Sequence, residues 1–212
     1  AIDDPTADYA VLPTYKLARA ARDAGLKVVL SGEGGDEMFA GYGRYRRAAR
    51  PRFGGRREMR AAGQLEGLGV LRREDGSWRQ SIAALEADLP SNLSGLQKAQ
   101  ALDCAHWLPN DLLTKLDRCL MAHGVEGRVP FVDPVLAAFA FRLPDALKVK
   151  KRLGKRLLRS WLARTLPASK PFAKKRGFTV PVGEWIAARG KDLGPLVAMQ
   201  PGVARYCDPD TV

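Results

Sequence analysis

Three carboxylates and three glycines fall within seven residues of this chain, Ser31-Gly32-Glu33-Gly34-Gly35-Asp36-Glu37, directly after the apolar run Lys27-Val28-Val29-Leu30. A glycine-rich turn leaving a parallel strand is where open α/β sheets receive ligands, because backbone amides converge there with no side chains in the way. Glu33, Asp36 and Glu37 would repel a bare phosphate. An anionic ligand at this turn therefore requires a divalent cation, and Mg²⁺ suits it, since Mg²⁺ takes one or two carboxylates plus phosphate oxygens. The competing reading of the same residues is a tight connection that binds nothing.

The elements that must position the turn are readable on either side of it. Leu12, Tyr15, Leu17, Ala18 and Ala21 share one face of a helix that has Pro13 in its first turn and Gly25 just past its end. The continuous apolar run to Leu30 predicts a buried parallel strand, and Met38, Phe39 and Tyr42 predict a helix after the turn. Residues 43–95 are arginine-rich and glycine-studded and read as a variable, loosely helical insertion, with a helical stretch near Ser81 to Ala87. Leu96 to Trp107 predicts a helix that Pro109 breaks, and Asp111 to His123 a second one that Gly124 stops. Val125 to Pro130 reads as extended. Asp133-Pro134 opens a helix to about Leu143, and Lys155 to Leu166 forms another.

Four ordered stretches resemble one family. Leu30-Ser31-Gly32-Glu33-Gly34-Gly35-Asp36-Glu37 with Gly41-Tyr42 is similar to a signature of the synthetase domain of glutamine-dependent asparagine synthetases. In the same order follow Leu116-Asp117-Arg118 with Met121-Ala122-His123-Gly124-Val125-Glu126, Arg128-Val129-Pro130-Phe131-Val132-Asp133, and Lys174-Lys175-Arg176-Gly177-Phe178 with Pro181 and Trp185. The linking Gly154-Lys155 with Leu157-Leu158-Arg159 also resembles the family.

The resemblance implies an α/β, pyrophosphatase-loop type adenine-nucleotide fold, here mostly helical with one or two parallel strands. It also implies ATP-dependent amidation of aspartate through β-aspartyl-AMP. On the matched positions, Ser31, Gly32, Gly34 and Gly35 would contact ATP and Asp36 would hold Mg²⁺. Lys175 would stabilise charge at the α-phosphate, and Glu33 would act in adenylate formation or take a proton from ammonia. Glu126 and Arg128 would either orient the substrate or form a buried structural ion pair. Relatives that close β-lactam rings or modify cell-surface polymers use much the same loop, and Glu33 favours the asparagine-forming branch.

A Ser-Gly-Gly-x-Asp-Ser loop and an amino-terminal Cys nucleophile are missing from residues 1–212. The resemblance implies that these, with a glutaminase domain supplying ammonia, lie upstream in a parent chain. It further implies that the chain is a carboxyl-terminal part which does not turn over alone. A homodimer is compatible with this reading.

Composition bounds the alternatives. The 212 residues are 46% hydrophobic and 27% charged, the usage of an ordinary globular protein and not of a disordered tail. No apolar run reaches the roughly 18 residues of a membrane span, and three cysteines at irregular spacing favour a reducing, cytoplasmic setting over a disulfide framework. Cys104, His106, Cys119 and His123 lack a spacing that would converge on zinc. The net charge of +12 and the run Arg44 to Arg60, interleaved with Tyr45 and Phe53, leave a nucleic-acid-binding module as the alternative from another class. No recognition motif accompanies it.

Overall fold

The computed structural model describes residues 8–50, 59–63, 65–174 and 180–211. In chain order these form α1 (Val11–Asp23), β1 (Val28–Leu30), α2 (Gly35–Phe39), α3 (Gly43–Ala48), α4 (Gln80–Asp88) and α5 (Gly95–Leu102). A π-helical segment (Asp103–Leu113), α6 (Thr114–Met121), β2 (Glu126–Arg128), α7 (Pro134–Arg142), α8 (Asp145–Lys148) and α9 (Arg156–Thr165) follow, then α10 (Val182–Ala188), α11 (Gly190–Ala198) and α12 (Pro201–Tyr206). The chain divides into two compact units, one from Ala1–Arg57 and Leu85–Thr179, the other from Glu58–Ala84 and Val180–Val212. No helix among the described residues is long and apolar enough to cross a membrane.

The first unit is built on two copies of one device. At the end of α1, Gly25 takes φ +76°, its N–H donates to Arg22 O, and the Leu26 N–H reaches Ala21 O. Gly124, φ +65°, does the same after α6, with N–H groups of Gly124 and Val125 donating to Met121 O and Leu120 O. Each left-handed glycine closes a helix and turns the chain into a strand. α1 packs against α6, and the strands that follow pair in parallel with Val28 opposite Glu126, Val29 opposite Gly127 and Leu30 opposite Arg128.

β1 departs from the buried strand its composition predicts. Only Val29 turns inward, onto Ala18, Leu120 and Val125, while Leu30 is 75% exposed and Val28 40% exposed. Among the described residues, α1 and α6 supply that inner packing, so the side chains on the other face of the pleat meet solvent.

The predicted break at Pro109 is absent. Helical backbone runs from α5 through the π segment into α6. The wider π turn places the Pro109 ring where an α-helical register would clash, and the Thr114 hydroxyl donates to the Pro109 carbonyl at 2.8 Å. Leu108 and Leu112 from this segment join Met38, Phe39 and Ala140 in the main core cluster. α5 begins with a capping box between Ser94 and Gln97, and the Asp133 carboxylate caps α7 by accepting from the N–H groups of Val135 and Leu136.

In the second unit, Leu71 bridges Cys207, and the Arg72 side chain donates to the carbonyl of Cys207 at 2.8 Å, tying the stretch near residue 70 to the end of α12.

Candidate functional site

The turn after β1 is anchored at its first residue. The Ser31 N–H donates to the carbonyl of Arg128, the last residue of β2, at 2.8 Å. Gly34 then takes φ +83°, and a Cβ there would lie 2.6 Å from Val132 Cγ2. A side chain is excluded twice over, by backbone conformation and by space. A Cβ on Gly35 would press on the Phe131 ring at 3.1 Å. Gly32 differs: it is exposed, its φ is ordinary, and a Cβ would meet nothing within 4 Å. Among the described residues nothing fills that space, so the bare backbone at Gly32 is open on that side.

α2 is only five residues long and cannot satisfy its own carbonyls. The last four are met from beyond the helix. Gly41 N–H donates to Asp36 O, and Lys155 N–H donates to Phe39 O at 3.0 Å. The fully buried Gln100 amide donates to Glu37 O at 2.5 Å and Met38 O at 2.9 Å. Lys148, also buried, donates its ammonium to Gln100 Oε1 at 2.8 Å and so fixes which way the amide points. Burial pulls the Lys148 ammonium down to about 8. Behind this layer Arg44 pairs with the buried Asp103 at 2.7 Å and lies over the Tyr42 ring.

Charge converges on the solvent side of α2. Glu33 is partly buried, and burial is the main cause holding its carboxyl above the usual range; Lys115 opposes this, while Asp36, Asp8 and Asp111 add to it. Lys115 itself is 5% exposed and pairs with Asp8 at 2.5 Å. Asp36 pairs with Lys155 at 3.1 Å. Glu37 faces the other way, at 1% exposure. Burial pushes its carboxyl up, against hydrogen bonding to its own backbone and to the Tyr42 hydroxyl, which favours the charged form.

Ser31, Gly32, Glu33, Gly34, Gly35 and Asp36 are thus brought together at the carboxyl end of β1. Glu126 and Arg128 sit on the neighbouring strand and bond to each other at 2.8 Å. Both are more than half exposed, a correction to their reading as a buried pair: β2 lies beside the exposed face of β1, and its alternate side chains point outward with it. Lys175 lies outside the described residues. Asp111, Asp8 and Lys155 were given no role at the site from the sequence. The sequence offers Lys115 and Arg118, on one helix, as positive charge near the phosphates; Lys115 is buried beside the turn and Arg118 is exposed.

The arrangement fits a cation held by few protein ligands. Among the described residues no group of three or more His, Cys, Asp or Glu side chains converges as a metal cage. Asp36 instead offers one carboxylate, already facing a positive charge and adjacent to open backbone, which matches an ion that completes its coordination with phosphate oxygens and water.

The asparagine synthase family model matches residues 1–198. A putative glutamine-hydrolyzing asparagine synthetase of Mycobacterium tuberculosis is 32% identical over 88% of this chain and 34% of its own length. Glutamine-hydrolyzing asparagine synthetase 1 of Bacillus subtilis is 33% identical over 87% of this chain and 35% of its own. Asparagine synthetase B of Escherichia coli is 27% identical over 86% and 26%, respectively. The chain thus spans about a third of the length of these first two relatives. With a match along most of its residues and the acidic turn, its strand and its buttressing helices in one place, this chain belongs to the asparagine synthase family.

Proposed function

We propose that, in the intact protein, these residues form part of the site that converts aspartate to asparagine at the expense of ATP, with ammonia released from glutamine by an upstream glutaminase domain. The observation that carries the reading is the turn itself: Glu33, whose carboxyl burial raises above its ordinary range, stands three residues from the Asp36–Lys155 pair, beside Gly32, where a Cβ would meet none of the described residues.

The Ser31 and Gly32 backbone receives the nucleotide at the end of β1. Asp36 would hold Mg²⁺, which when bound would neutralise triphosphate charge. An oxygen of the aspartate β-carboxylate bonds to the α-phosphorus as the bond to pyrophosphate breaks, and Lys175 steadies the charge on the departing group. The ammonia lone pair then bonds to the acyl carbon, AMP leaves with the electrons of the acyl C–O bond, and the proton lost by nitrogen passes to Glu33. A carboxyl raised toward the working pH is suited to taking and returning that proton. Glu126 and Arg128, at the end of the adjoining strand, orient the substrate. Residues 1–212 alone do not complete a turnover.

The test is Glu33→Gln in the intact enzyme. Aspartate-dependent pyrophosphate release or amide formation should fall by at least about 100-fold, the usual range for loss of a general acid–base group. Unchanged rates in both assays would remove Glu33 from the reaction. The nucleic-acid reading loses ground at Arg44, the first residue of the basic run, whose guanidinium is spent on Asp103.

A further inference from the structure

Lys155 occupies a backbone that lysine does not favour. Its φ is +54°, a left-handed conformation that is strained for a residue with a Cβ. The residues around it are arranged to keep it there. A short antiparallel bridge between Lys150 and Leu153 delivers the chain. Gly154 follows, where a Cβ would collide with the Ala40 carbonyl, and the Lys155 N–H then locks onto Phe39 O at 3.0 Å. The side chain runs across Gly41, whose absent Cβ leaves the space: an added one would fall on Asp36 Oδ1 and lie 2.6 Å from Lys155 Cε. Two glycines and one strained lysine therefore serve a single contact, the Lys155 ammonium on the Asp36 carboxylate. Both groups keep some exposure, 26% and 19%, so the pair is not sealed in the core and stays within reach of solvent ions.

We infer that Lys155 is a stand-in cation for Asp36: its ammonium holds the carboxylate in place when the site is empty, yields to the divalent ion that accompanies the nucleotide, and is then left beside the phosphates as a resident positive charge. This deepens the proposed function and rests on its assignment of Asp36. A bare carboxylate on this turn would otherwise repel an arriving polyphosphate. A tethered ammonium neutralises it without occupying the coordination sphere permanently.

The test measures binding of Mn²⁺ alone, by electron paramagnetic resonance, to the intact enzyme without nucleotide. Lys155→Asn removes the charge while retaining a residue that tolerates left-handed backbone; Lys155→Arg restores a cation. With its competitor gone, Lys155→Asn should bind Mn²⁺ roughly three- to tenfold more tightly, and its affinity for metal-free ATP should fall by a similar factor. Lys155→Arg should stay near the wild type in both. Asp36→Asn should abolish the Mn²⁺ site with or without the Lys155 change. If Lys155→Asn keeps the wild-type circular dichroism spectrum and unchanged Mn²⁺ affinity while Asp36→Asn loses the site, the stand-in role is wrong and the metal assignment stands. If Asp36→Asn leaves Mn²⁺ binding intact, both are wrong.

Discussion

Replacing Gln100 by Leu isolates the support beneath the acidic turn. Leucine nearly matches glutamine in volume, so the core around Leu96 and Leu102 keeps its packing, but three hydrogen bonds disappear: two to the carbonyls of Glu37 and Met38 and one from the Lys148 ammonium. Each buried carbonyl left without a donor costs about 1–3 kcal/mol. Lys148 retains Phe141 O at 3.2 Å but loses its better partner. Apolar burial of the new side chain returns about 1–2 kcal/mol, which leaves a net loss of roughly 0–5 kcal/mol from the two carbonyls, to which the lost partner of Lys148 adds. The damage should be local before it is global, because α2 is short and borrows its hydrogen bonds. Amide hydrogen exchange in the intact enzyme should therefore show Glu37 to Ala40 deprotected by at least tenfold, while the β1–β2 ladder keeps its protection. Since α2 carries Asp36, kcat/KM for ATP should fall alongside. Wild-type exchange across α2 together with a thermal midpoint within about 1 °C of the parent would refute the claim that Gln100 holds this helix.

Two further substitutions probe the turn. Gly34→Ala combines left-handed strain with a Cβ 2.6 Å from Val132 Cγ2, and about 2–4 kcal/mol of destabilisation should appear in urea unfolding; a loss under 1 kcal/mol would mean that Val132 moves aside freely. Glu37→Gln addresses pH. A carboxyl whose pKa is raised by folding keeps a proton that the unfolded chain gives up, so the wild type loses stability as pH climbs from 4.5 through the folded value. Removing that group should flatten the curve over the same window and stabilise the protein near neutrality, and an unaltered pH–stability profile would contradict the burial assigned to Glu37.

Features fixed by short-range chemistry were readable in advance. Gly25 and Gly124 announce helix ends because only left-handed backbone closes those carbonyls, and Asp133-Pro134 announces a helix start because a capping acid and a preset φ coincide there. The acidic turn was visible for the same reason: its glycines answer to local conformation and to Val132 and Phe131 nearby. Lys155 was not, since its contact with Asp36 joins residues 36 and 155 and depends on Gly41, near one partner, making room for the other. Gln100 was equally hidden, because a polar residue on a helix reads as solvent-facing until the carbonyls it serves are in place. The exposed faces of Val28 and Leu30 show the converse limit: an apolar run specifies what a strand prefers to touch, not how many helices cover it.

The π-helical stretch between Leu102 and Thr114 sets the phase of everything after it. An α-helix advances about 100° per residue, and a wider coil advances less, so the azimuth of Lys115 is the accumulated sum of eleven smaller steps. Shortening that stretch by a single residue would leave the side chains of α6 unchanged yet swing Lys115 away from Glu33 and turn Leu120 off Ala18. Length between Asp103 and Leu113 is consequently under tighter constraint than composition, and tolerated indels in related chains should fall outside that window.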